Sequence, residues 1–147
     1  EFNPGLFFLI RAIGFWWVGY DPVQTIGPLM SVIAMVLIVG YSWWKYVPSR
    51  DTLPKAMLVI WTVQLLFATT VHPWYAVPLI GLAVCVGYAF PVVWSGCIFL
   101  SYFGYEASGY EHPFLLIAIE YFLVLAVAGF ELIKDKPLLN HYLISDD

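Results

Sequence analysis

Apolar residues fill long runs along this chain, and polar residues gather into short gaps between them. Residues 5–20 are apolar and aromatic but enclose Arg11, and Leu6, Ile10, Ile13 and Trp17 recur at helical spacing. A crossing needs roughly 20 apolar residues and tolerates a central arginine poorly. The pattern therefore predicts a helix lying in the membrane interface, within an external segment 1–24. Asn3-Pro4 is its expected start and Tyr20-Asp21-Pro22 its expected end. The first crossing is predicted at about 25–46, with Pro28 near its start. It ends in Trp43, Trp44, Lys45 and Tyr46, an aromatic belt with a charge beside it. Arg50, Asp51 and Lys55 mark the next gap, and a second crossing is predicted at about 53–71.

From Pro73 to Tyr105 the apolar run is too long for one crossing. A single helix of that length reaches roughly 45–50 Å, against a hydrocarbon core of about 30 Å. Two short spans, 73–88 and 91–105, with a turn at Ala89-Phe90-Pro91, fit better. This hairpin places Lys45, Arg50, Lys55, Lys134 and Lys136 on one side and Arg11 on the other, as the positive-inside rule requires. A polar loop from Glu106 to His112 leads to a last span, 113–132, and a polar, frayed tail, 133–147, in the cytoplasm. The expected fold is all-α: one domain, a polytopic transmembrane helical bundle of about five spans preceded by an interfacial helix.

Composition agrees with that class. The chain is 62% hydrophobic, 19% aromatic and 11% charged, where a soluble domain carries about 25% charged residues. A net charge of −4 argues against a nucleic-acid partner. Cys85 and Cys97 lie in apolar runs and read as small core residues rather than a disulfide or metal pair. The chain opens on Glu1 without a basic n-region or cleavage site, so it is expected to be part of a longer polypeptide.

Candidate chemistry centres on Thr69-Thr70-Val71-His72-Pro73-Trp74-Tyr75, where an ionisable side chain interrupts the apolar run. Pro73 cannot donate a backbone hydrogen bond and biases His72 away from helical geometry. One helix should end at about Thr70 and another should start at Pro73. Trp74 and Tyr75 then sit where amphipathic rings prefer a membrane–water boundary. Two readings stay open: a polar turn between spans, or a membrane-surface site centred on His72.

The same outer face would gather Arg11, Asp21, Glu106, Glu111 and His112. His72, His112 and Glu111 have metal-ligating chemistry but no close spacing such as HExxH, so no metal site and no cofactor are predicted. No serine or cysteine nucleophile system is evident. Arg11 either snorkels to headgroups or offers a fork of donors to a phosphate held at the surface. Glu120 shares a helical stripe with Val124, Val127 and Glu131 and is expected to hydrogen-bond a neighbouring helix. Glu131, near the cytoplasmic end, needs no special partner. Ala83-x-x-x-Gly87 offers a small-residue face for helix contact, and Trp61 and Gln64 read as packing.

Several of these stretches resemble one family. Glu1-Phe2-Asn3, Leu9-Ile10-Arg11, Ile13-Gly14 and Gly19-Tyr20, with Thr69 to Tyr75 and Pro78-Leu79, resemble bacterial mannosyltransferase-like membrane proteins of the GT-C superfamily. These are integral-membrane glycosyltransferases that use polyprenyl-phosphate-linked sugars. The resemblance covers essentially the whole chain, but only the C-terminal part of such an enzyme. It implies a multi-pass protein of the cytoplasmic (inner) membrane, with a polyprenyl-phosphate sugar and membrane lipid as partners. It implies substrate binding at the outer face by Arg11, His72, Trp74 and Tyr75. The family's catalytic acidic residues sit in a first external loop that has no counterpart here, so no general base is assigned and this stretch alone is expected to be inactive. The alternative is a non-catalytic membrane subunit packed within a larger complex.

Overall fold

The computed structural model describes residues 5–45, 52–106, 109–110, 114–134 and 137–139. The described residues are mostly helical, with one pair of two-residue strands. The helices are α1 (Gly5–Val18), α2 (Val23–Lys45), α3 (Thr52–Leu66), α4 (Val77–Val86), α5 (Phe90–Cys97) and α6 (Phe114–Lys134). A 3-10 turn, Pro73–Ala76, leads into α4, and a second, Ile98–Gly104, extends α5. Strands β1 (Tyr105–Glu106) and β2 (Gly109–Tyr110) pair antiparallel, Tyr105 opposite Tyr110, in the loop expected to be merely polar.

Local chemistry sets the helix ends. Gly19 adopts φ +75°, and its N–H bonds the Phe15 carbonyl at 2.9 Å, which closes α1 with a left-handed residue. Asp21 then caps α2, its carboxylate accepting from the Val23 N–H at 3.2 Å. Within α2, the Ser31 and Ser42 hydroxyls bond back to the Gly27 and Ile38 carbonyls, so neither presents an unpaired polar group. Gly87, φ +75°, ends α4 with a 2.7 Å bond from its N–H to the Ala83 carbonyl. Ala83 and Gly87 are also both buried, in keeping with the small-residue contact face the sequence suggests.

Only two helices are long and apolar enough to cross a membrane among the described residues: Val23–Trp44 and Leu115–Lys134. Of the other three predicted crossings, α3 and Pro73–Val86 are shorter than the sequence suggested, while Phe90–Gly104 keeps the expected length one residue earlier. α3 stops at Leu66, not near residue 71, because the Ala68 N–H already bonds the Leu65 carbonyl in a tightened turn ahead of Thr69 and Thr70. Pro73–Val86 and Phe90–Gly104 complete the set of short apolar helices, and the chain reverses between them at 87–89, where the turn was placed.

Contacts sort the helix ends into two layers. At one end the Lys55 ammonium lies 5.5 Å from the Tyr88 ring centre, and Glu131 of α6 meets Ala89 and Phe90. At the other end α1 crosses the start of α2 and the end of α3: Phe7 packs with Ile26, Met30 and Phe67. The main core joins α3 to α6 through Leu58, Leu65, Leu79, Phe90, Trp94 and Val124. Successive elements from α2 to α6 therefore run up and down between the layers.

Glu131 corrects the sequence reading. It is fully buried and accepts three backbone N–H groups: Ala89 at 2.7 Å, Phe90 at 2.9 Å and Leu138 at 2.9 Å. The first two lie at the start of α5, where the helix has no partners of its own for them. The third folds 137–139 back, and the Leu139 N–H adds a 2.9 Å bond to the Gly87 carbonyl. This part of the expected frayed tail is docked.

Candidate functional site

The His72 region is built from its backbone outward. His72 has φ −84°, ψ 152°, the extended geometry that a following proline imposes. Pro73 then opens the 3-10 turn, and the Tyr75 N–H bonds the His72 carbonyl at 2.9 Å. Val71 before it and Ala76 after it are buried, so both ends of the segment are anchored while its rings project. From α3, the Trp61 indole N–H donates to the Tyr75 carbonyl at 3.1 Å. Trp61 therefore has a role that packing alone did not suggest: it ties the turn to the neighbouring helix.

The rings form one cluster. The His72 imidazole stacks on Trp74, centroids 4.3 Å apart and planes 12° from parallel. Tyr75 meets His72 edge-on at 5.6 Å and Trp74 edge-on at 6.0 Å. His72 is half-buried, whereas Trp74 and Tyr75 are exposed. Three of the four predicted binding residues are thus held together.

Arg11, the fourth, is engaged elsewhere. Its Nε donates to Asp21 Oδ1 at 2.9 Å, and its second nitrogen pairs with Asp21 Oδ2, giving a two-pronged ion pair. The Arg11 hydrogen bond is the main cause holding the Asp21 carboxyl below its ordinary value of 3.8. The sequence weighed lipid headgroups and a phosphate as partners for Arg11 and missed this carboxylate. The signal was present: Asp21 precedes Pro22 at the reversal between α1 and α2, which folds it back toward α1.

Arg11 and His72 stand at the same end of the bundle. The start of α1 abuts the end of α3, since a Cβ on Gly5 would lie 3.1 Å from the Leu66 carbonyl oxygen. One on Gly27 would lie 3.9 Å from Thr69 and 4.0 Å from Phe7. However, neither residue lines either of two cavities found among the described residues. One, about 200 Å³, lies between α1 and α6 and is lined by Leu6, Phe8, Leu9, Ile117, Tyr121 and Leu125 among others. The second is an apolar hollow along α2 between Val36 and Trp44.

Beneath this end lies a buried polar group. Glu120 is inaccessible to solvent and accepts from the Trp94 indole N–H at 3.1 Å, the interhelical bond expected of it. Beside it, the Tyr121 ring meets Trp94 edge-on at 6.0 Å. The Tyr121 hydroxyl has no hydrogen-bond partner among the described residues, at a cost of about 1–3 kcal/mol. Glu111 and His112, the other candidate ligands beside His72, lie outside the described residues. Among those described, no three metal-ligating side chains converge. No protein-family model, curated protein or solved structure matches this chain.

Proposed function

We propose that this chain is the C-terminal membrane portion of a glycosyltransferase whose donor is a polyprenyl-phosphate-linked sugar, bound at the outer face of the cytoplasmic membrane. The observation that carries this reading is the fixed His72–Trp74–Tyr75 cluster at the end of the bundle where α1, bearing Arg11, crosses. That combination puts an imidazole, a guanidinium and aromatic rings in one layer, the groups a sugar phosphate at a membrane surface requires.

In this reading α2, α3, Pro73–Val86, Phe90–Gly104 and α6 all cross, as a multi-pass bundle, and α1 lies along the outer surface. Two features support it. The up-and-down layering brings Lys55, Tyr88 and Glu131 to one end, matching the lysine-rich side. In addition, α2 exposes Leu29, Val32, Met35, Val36 and Val39, a surface suited to lipid rather than water. The three short crossings fit where the bilayer thins or where neighbouring protein covers them. Arg11 would exchange one carboxylate oxygen of Asp21 for a phosphate oxygen. The apolar cleft beside Phe8, one helical turn before Arg11, would receive the start of the lipid chain.

The same exposed α2 face favours a second reading, a non-catalytic membrane subunit that packs within a larger complex. Transfer kinetics in the intact polypeptide separate the two. His72→Ala and Arg11→Ala should each reduce use of the lipid-linked donor about 10-fold or more, as loss of one charge-assisted bond of about 1.5–3 kcal/mol implies. Folded variants with wild-type kinetics would show these residues to be interface anchors.

A further inference from the structure

Trp74 differs from the other tryptophans at the helix ends. Trp16, Trp17, Trp43 and Trp44 project with 86–91% of their surface exposed, as free interface anchors do. Trp74 is instead backed by a stacked imidazole, braced edge-on by Tyr75, and carried on a proline-initiated turn anchored by Val71, Ala76 and the Trp61 bond. Yet it remains 58% exposed. With His72 stacked on one face, the opposite face and the edges are the sides left for a ligand. The outcome is a flat, electron-rich surface whose orientation is already fixed, so a ligand stacking on it orders little further.

A hexopyranose ring suits such a surface. Its axial C–H bonds are polarised and stand along the faces of the ring, where they meet the negative face of an indole. Its hydroxyls point outward, past the edges of the indole and on the side away from the stacked imidazole. An isoprenoid or acyl chain packs on a ring of any orientation, so a ring fixed in advance favours it less than it favours a rigid sugar. We propose that the open indole face of Trp74 is the platform for the hexose of the lipid-linked donor, with His72 as the positioning residue behind it. This rests on the donor-site reading above.

The test measures binding of three lipids to the intact polypeptide in nanodiscs: decaprenyl phosphate, decaprenyl-phosphomannose and decaprenyl-phosphoglucose. The wild type should bind at least one hexosyl lipid about fivefold more tightly than the bare phosphate, the size of one aromatic stacking contact. Trp74→Ala should bring the ratio of hexosyl-lipid to bare-phosphate affinity to about one, while Trp74→Phe keeps most of the preference. The affinity for bare phosphate reports that each variant is folded. A preference that survives Trp74→Ala overturns the proposal. So does equal weakening of all three lipids, which would mark Trp74 as a membrane anchor, or a wild type without preference for either hexose. Failure of the wild type to bind any of the lipids would instead remove the donor-site reading itself.

Discussion

Replacing Glu131 should destabilise the bundle more than any exposed substitution on α6, and by an amount that depends on how many acceptors survive. Oε1 takes the Ala89 and Leu138 N–H groups, and Oε2 takes the Phe90 N–H. Glu131→Ala leaves all three donors without that partner at a fully buried position, two of them at the start of α5. Each bond to a charged acceptor contributes about 1.5–3 kcal/mol, and such losses are not fully additive. A total of about 3–5 kcal/mol follows. Glu131→Gln keeps an oxygen for two donors and turns its amide toward the third, so it should cost about 1–3 kcal/mol. At roughly 2–4 °C per kcal/mol for a chain of this size, the alanine variant should melt on the order of 10 °C lower, and the glutamine variant about half as much. Thermal unfolding in detergent micelles followed by circular dichroism reads this order. Amide exchange should rise at Ala89, Phe90 and Leu138 in the alanine variant. An alanine variant within about 0.5 kcal/mol of wild type, or a glutamine variant as damaging as alanine, would refute the reasoning.

Asp21 predicts an acid-side dependence. Its folded-state carboxyl lies below the ordinary value of 3.8, so its contribution is present above that pH and is lost as pH falls through the folded value. Asp21→Asn should remove that part of the acid transition and leave the melting temperature independent of this group; an unchanged acid transition would contradict it. For topology, single cysteines at positions 50 and 109, in a background with Cys85 and Cys97 replaced, should label from opposite sides of the membrane. Same-side labelling would show that the reversal at 87–89 does not lie between two crossings.

Periodicity and turn chemistry made much of this fold legible. The extents of α1, α2 and α6 follow from apolar runs bounded by Pro22, Lys45 and Lys134, and Pro73 and Pro91 mark where helices begin. The conformation of His72 was also legible, because the residue before a proline has little freedom. What escaped were contacts made by chain reversals. The window around Glu131 shows a carboxylate near a helix end, and nothing local says that 137–139 returns to it or that the start of α5 lies beside it. Arg11 and Asp21 are ten residues apart, beyond the reach of a helical neighbour rule, and meet only because α1 and α2 reverse at Pro22. The early end of α3 has a similar origin: apolar residues continue past Leu66, but the backbone leaves the helix to deliver His72. Hydropathy reports the environment of a residue and not its hydrogen bonds.

The central claim, a lipid-phosphate sugar held at the end of the bundle that carries His72 and Arg11, is tested most directly by photolabelling. A polyprenyl-phosphate sugar bearing a diazirine close to its phosphate would be irradiated with the intact polypeptide in membranes, and the labelled residues mapped by mass spectrometry. Labels should concentrate on α1 around Arg11 and on 72–75, and excess unlabelled donor should suppress them. Labels clustered near Lys55, Tyr88 and Glu131 at the opposite end, or spread along α2 and insensitive to competitor, would contradict the account.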